Sequence, residues 1–188
     1  MNIKTLSLLN AAAMGTLLAA CSSAPMNAPK TMSAFSQAAL PAAVQVPAGH
    51  RVALETVGAG DITYECRDKA SAAGQHEWVF AGPMAELTDR QGRAIGRYFG
   101  PPATWAASDG SAITGTQLAF APAGDGNIPL QLVKANPASG QGVMSSISHI
   151  QRVATRGGVA PASVCDVQVK GKREVVKYQA DYIFWKAM

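Results

Sequence analysis

Three histidines (His50, His76 and His149), the run Ser108-Asp109-Gly110-Ser111, and arginines set among aromatic residues are the side chains whose types could do chemistry. A histidine can serve as base or metal ligand, a serine beside an acid as nucleophile, and an arginine as a planar fork for an anion. Spacing weakens the first two options. No HExxH or HxH pair joins the histidines, so no metal set is expected and no cofactor is implied. The serine run lacks the GxSxG elbow and reads as an Asp-Gly turn, so no catalytic residue is assigned. The aromatic set is more informative. Trp105 lies in a Pro- and Gly-rich connection beside Tyr98, Arg97 and Asp109. Loops held by a rigid sheet commonly bind ligands, and an indole or phenol can stack on a sugar or a flat molecule. Arg152, followed by Arg156 and Gly157-Gly158, adds an anion fork. Trp105, Tyr98, Arg97, Asp109 and Arg152 are therefore the candidate ligand-binding residues, although aromatic side chains also fill ordinary cores.

The elements that must position them are strands. Val52, Leu54 and Thr56 alternate with their neighbours within Arg51 to Val57, and Ile62, Tyr64 and Cys66 share a face within Asp61 to Cys66. His76, Trp78 and Phe80 alternate likewise. Period two bounded by Gly and Pro marks half-buried strands. Asp89-Arg90-Gln91-Gly92 reads as a hairpin loop between Met84–Thr88 and Arg93–Phe99, and Asp109-Gly110 opens a strand from Ser111 to Phe120. Ile128 to Ala135 is a further strand. Ser145 to Thr155 fits a helical turn or a strand, with its β-branched content favouring the strand. Val164 to Val169 alternates as a strand before the turn at Lys170-Gly171-Lys172-Arg173. A last aromatic strand then carries Val176, Tyr178, Ala180, Tyr182 and Phe184 on one face, and a central place is expected for it. Many short strands with little helix predict a single all-β domain, an antiparallel β-sandwich or barrel.

Lys4 followed by an apolar stretch to Leu18 and then Ala19, Ala20 and Cys21 describes an export leader, too short for a stable membrane span. Its Leu18-Ala19-Ala20-Cys21 ending resembles the lipobox of bacterial lipoproteins. That resemblance implies cleavage after residue 20, a diacylglycerol on the Cys21 thiol, and membrane attachment through that anchor. Ser22, where an Asp would favour retention at the inner membrane, implies an outer-membrane lipoprotein of the cell envelope. Residues 21–40, rich in Ser, Ala, Pro and Met, read as a flexible tether, and residues 41–188 as the folded domain.

With Cys21 acylated, Cys66 and Cys165 remain as a pair in an oxidising compartment, where a disulfide is the economical reading. Thiolate metal ligands are the rival, but no CxxC pattern or nearby His supports them. The composition is 48% hydrophobic and 15% charged, below the roughly 25% charged of an average domain. The formal net charge is only +4, one unit of which (Lys4) leaves with the leader, so nothing suggests a nucleic-acid partner.

An ordered set of segments carries a wider resemblance: Ile62-Thr63-Tyr64-Glu65-Cys66, Glu77-Trp78-Val79-Phe80, Pro83 to Leu87 with Asp89 and Gly92, Trp105 with Ser108 to Ser111, Ile128-Pro129, Gln151-Arg152-Val153 with Gly157-Gly158, Ala160-Pro161 before Cys165, and Tyr178 to Phe184. Together, over roughly Leu40 to Lys186, the chain resembles the bacterial and fungal domain-of-unknown-function family numbered thirty-four fifty-five. The resemblance names kin without naming chemistry. Dehydrogenase labels on some fungal relatives are not carried over, because no strand–GxGxxG–helix unit is present. Two features of the family pattern are missing: a His shortly before the Gly-Pro…Trp run, and a Trp after Ile-Pro, where Leu130 stands. The expectation is a lipid-anchored envelope module that binds a small molecule or an envelope protein, or serves a structural role. The alternative is a small hydrolase-like enzyme using His76, His149 or Asp109 in a pocket near Trp105.

Overall fold

The computed structural model describes residues 34–188. The leader over residues 1–20, Cys21 and the tether as far as residue 33 lie outside the described residues.

Alternating apolar residues produce eight strands: β1 (His50–Asp68), β2 (His76–Thr88), β3 (Ala94–Phe99), β4 (Thr104–Ala107), β5 (Ala112–Ala121), β6 (Leu130–Ala135), β7 (His149–Gly157) and β8 (Arg173–Ala187). Each strand pairs antiparallel with the next, and β8 returns to pair with β1, so the sheet closes into a barrel. Closure leaves no strand edge unpaired, and an eight-stranded barrel is just wide enough to be filled by side chains or to hold one small ligand. Even-numbered residues of β8 (Tyr178, Ala180, Tyr182, Phe184) pack in the interior, while Ile183 and Trp185 pack outside.

Several expectations change. The two strands expected at 51–57 and 61–66 are one continuous β1. Gly58 and Gly60 between them do not turn the chain; a Cβ on Gly58 would lie 2.6 Å from the Tyr182 ring, so glycine there admits a large interior aromatic. Val164–Val169 is not a strand. It lies in the β7–β8 connection and ends in a 3-10 turn, Val167–Val169, where the Asp166 carboxylate accepts the Gln168 N–H at 2.9 Å. The short β4 was hidden among prolines and alanines. The ambiguous stretch divides: Ile147 belongs to a loop and His149–Gly157 is strand. The last strand joins β1 to β7 rather than occupying a centre, since a closed ring has none.

Two apolar layers result, one on each face of the sheet. The interior cluster includes Ile62, Tyr64, Leu87, Tyr98, Trp105, Tyr178, Tyr182 and Phe184. A second cluster lies outside β5–β8, where Phe35, Leu40, Val44 and Val46 cover Leu132, Val153, Ile183 and Trp185. The packed body therefore begins at Phe35, within the stretch expected to be tether. This N-terminal strap is held by polar bonds as well. Gln151, fully buried, donates to the Gln37 side chain (3.0 Å) and the Val44 carbonyl (2.6 Å), and accepts from the Trp185 indole (2.8 Å). Outside β1 and β8, Arg90 from the β2–β3 turn bonds Glu55 (3.0 Å) and Asp181 (2.7 Å), an ion-pair role for Asp181 that sequence reading missed.

The barrel ends differ. At the lower end, where β1 begins, the loop between β6 and β7 inserts Met144 and Ile147 into the interior cluster. At the upper end, Cys66 at the top of β1 is bonded to Cys165 of the β7–β8 connection, Cα–Cα 5.6 Å. This bridge spans 99 residues, for which the chain-entropy model gives at most about 4.7 kcal/mol.

Candidate ligand-binding site

Under the upper rim, on the β2–β7 side, the interior side chains leave a cavity of about 220 Å³. An engineered cavity of about 150 Å³ can hold a benzene, so this one accommodates a single-ring molecule. Strand alternation places its walls. Tyr98 on β3 and Trp105 on β4 are cross-strand partners, and their rings stack at 4.8 Å with an interplanar angle of 24°. Tyr182 leans on both, at 5.0 Å from Tyr98 and 5.9 Å from Trp105. Arg152 lines the opposite part of the cavity from β7. The tip of the β3–β4 connection, Gly100 to Ala103, and Phe80 stand at the rim with Gln117 and Gln131, whose side-chain amides bond each other. Gly115, also in the lining, admits the Val133 side chain, because a Cβ there would strike its methyl.

Several polar groups of the lining are incompletely used, among them the Tyr98 hydroxyl, which makes no hydrogen bond among the described residues. Trp105 is only 1% exposed, yet its indole N–H has no hydrogen-bond partner among the described residues. A buried, unmet N–H costs about 1–3 kcal/mol. Arg152 donates through Nε (3.1 Å) and Nη2 (2.9 Å) to the Pro129 carbonyl. Among the described residues its Nη1 has no partner and no carboxylate lies within ion-pair reach. The other interior polar groups are phenols. Tyr64 donates to the Gly158 carbonyl at 2.8 Å, and the Tyr178 and Tyr182 hydroxyls bond each other at 3.2 Å. Burial raises the pKa of Tyr98, Tyr178 and Tyr182 above the ordinary phenol value, so all three are neutral near pH 7, and the positive charge of Arg152 opposes that rise in each. The cavity is thus aromatic-walled, carries one cation, and is lined by no acidic side chain.

Of the five residues singled out in the sequence, Trp105, Tyr98 and Arg152 meet here and two do not. Arg97 is next to Tyr98 in β3 and therefore points out of the barrel, exposed. Asp109 sits in the β4–β5 turn at the lower end. Its carboxylate accepts the Ser111 hydroxyl (2.6 Å) and the Val143 N–H (2.8 Å), and the Ser111 hydroxyl accepts the Met144 N–H (3.2 Å). These bonds hold the plugging loop, and they keep the Asp109 pKa below the usual carboxylate value. The histidines do not line the cavity. His50 and His149 meet edge to face at 4.7 Å at the lower end, and His76 pairs with Asp68 at 3.2 Å. Among the described residues no group of three or more His, Cys, Asp or Glu is placed to hold a metal. Gln117, Gln131 and Phe80 were missed; all three are inward-facing strand positions near the upper rim, a parity the alternation signals.

A family model described as Protein of unknown function (DUF3455) matches residues 47–186, nearly the whole barrel. The chain belongs to that family. The matched span of the DUF3455 chain includes all eight strands except Ala187 at the end of β8, both bridge cysteines and every residue of the cavity lining. No curated protein and no solved structure matches the chain.

Proposed function

We propose that this protein is a lipid-anchored envelope module whose barrel binds a small molecule in the cavity beneath Phe80 and Trp105. The observation that carries the binding reading is the space itself, large enough for one ring and lined by Tyr98, Trp105 and Arg152. A purely structural barrel would fill such a space. The export reading draws on the lipobox-like Leu18-Ala19-Ala20-Cys21 and on the Cys66–Cys165 bridge, since disulfides persist mainly in oxidising compartments. The acyl chains on Cys21 hold the protein at the membrane, and the barrel captures its ligand from the surrounding medium.

Native export followed by mass spectrometry tests the binding reading. A low-mass molecule should leave with the protein and be lost in Trp105→Leu, and absence of any such molecule in repeated preparations would contradict the reading. For the anchor, Cys21→Ala should abolish fatty-acid labelling and release the protein from membranes; unchanged fractionation would refute attachment through Cys21.

A further inference from the structure

Resting on that binding reading, we infer that the cavity takes a small planar acid: one aromatic or conjugated ring lying along Tyr98 and Trp105, with a carboxylate received by Arg152. Three observations converge. The space is about one ring in size, and the stacked Tyr98–Trp105 pair forms part of its wall. Its one charged side chain is an arginine whose planar fork still has Nη1 unengaged among the described residues, and no carboxylate neutralises it. A guanidinium fork with a spare N–H group selects an anion over a cation or a neutral ring, because a charge-assisted hydrogen bond is about twice as strong as a neutral one. The Tyr98 hydroxyl, a lining group with no hydrogen bond among the described residues, offers a second donor to the same molecule. The neutral phenols Tyr178 and Tyr182 share one hydrogen bond and stand outside the lining, which leaves the acid to arginine and the Tyr98 hydroxyl. At the rim, the bonded Gln117–Gln131 pair adds uncharged amides that do not repel the incoming anion.

The three indoles give a direct readout. Trp78 donates to the Ser163 carbonyl and Trp185 to Gln151, and Trp105 alone of the three lines the cavity, so its indole resonance is the one a ring bound there would shift. The probes are 4-hydroxybenzoate and its neutral counterpart 4-hydroxybenzamide, titrated into the isotope-labelled mature protein while indole N–H resonances are followed, with Trp105→Phe assigning the signal. The acid should move the Trp105 resonance saturably, leave those of Trp78 and Trp185 in place, and bind at least about tenfold more tightly than the amide, as expected for one charge-assisted hydrogen bond. Arg152→Gln should bring that preference close to unity, weakening the acid far more than the amide. Arg152→Lys, which keeps the charge and loses the fork, should restore part of it even if the Gln variant folds poorly. Equal binding of acid and amide, or a preference surviving both substitutions, overturns the acid while leaving a binding cavity in place. Should neither probe move Trp105 while a neutral co-purifying molecule does, the acid is again overturned. If no molecule moves it, the binding reading falls too.

Discussion

Trp105 and Trp185 stand one on each side of the same sheet, almost equally buried, and their environments are opposites. Outside, the Trp185 indole donates to Gln151, which in turn bonds Gln37 and the Val44 carbonyl, so every polar group beneath the strap has a partner. Inside, Trp105 packs as tightly against Tyr98 and Tyr182 but its N–H faces no acceptor, and space remains beside it. A satisfied buried network fixes a fold, whereas an unsatisfied donor next to a void stores binding capacity at some cost in stability. The outer layer is scaffold, and under the proposed function the inner layer is the site.

Substitutions can break this contrast, beginning with the largest expected effect. Gln151→Leu leaves the Trp185 N–H and the Val44 carbonyl without partners, and should lower unfolding free energy by about 3 kcal/mol in a urea titration. Trp185→Phe orphans the Gln151 acceptor and should cost about 2 kcal/mol, while Trp105→Phe removes volume but no hydrogen bond and should cost about 1 kcal/mol less. Equal losses at the two tryptophans would erase the distinction between scaffold and site. The smallest effect concerns pH. Burial, with His50 and Lys134 nearby, lowers the His149 pKa below its unfolded value near 6.5. The unfolded chain then takes up the proton first as pH falls below about 6.5. Stability should therefore decline from neutral pH to the lower folded-state pKa, and His149→Gln should flatten that slope in thermal melts.

Period two made the all-β class and the interior faces of β1 and β8 legible, and counting cysteines made the bridge legible. Tyr98, Trp105 and Arg152 could be picked by type. Arg97 could have been set aside by the same alternation that recommended Tyr98, because neighbours on a strand face opposite ways. Asp109 could not, since only the short β4 separates it from Trp105 in sequence yet carries it to the other barrel end. The strap was hidden because its apolar anchors, Phe35, Leu40, Val44 and Val46, are few and separated by Ala, Gln and Pro. A bulge in β5 after Gln117 reverses the facing of the residues that follow, so Ala119 and Ala121 pack outside although they share the parity of Gly115 and Gln117.

The most direct test of the contrast is the exchange rate of the three indole N–H protons with solvent in the protein stripped of small molecules, then in the protein as exported. The account predicts protection of Trp185 in both, and protection of Trp105 that rises sharply only when the co-purifying molecule is present. Trp105 protection that is already maximal in the stripped protein and unchanged by its return would contradict it.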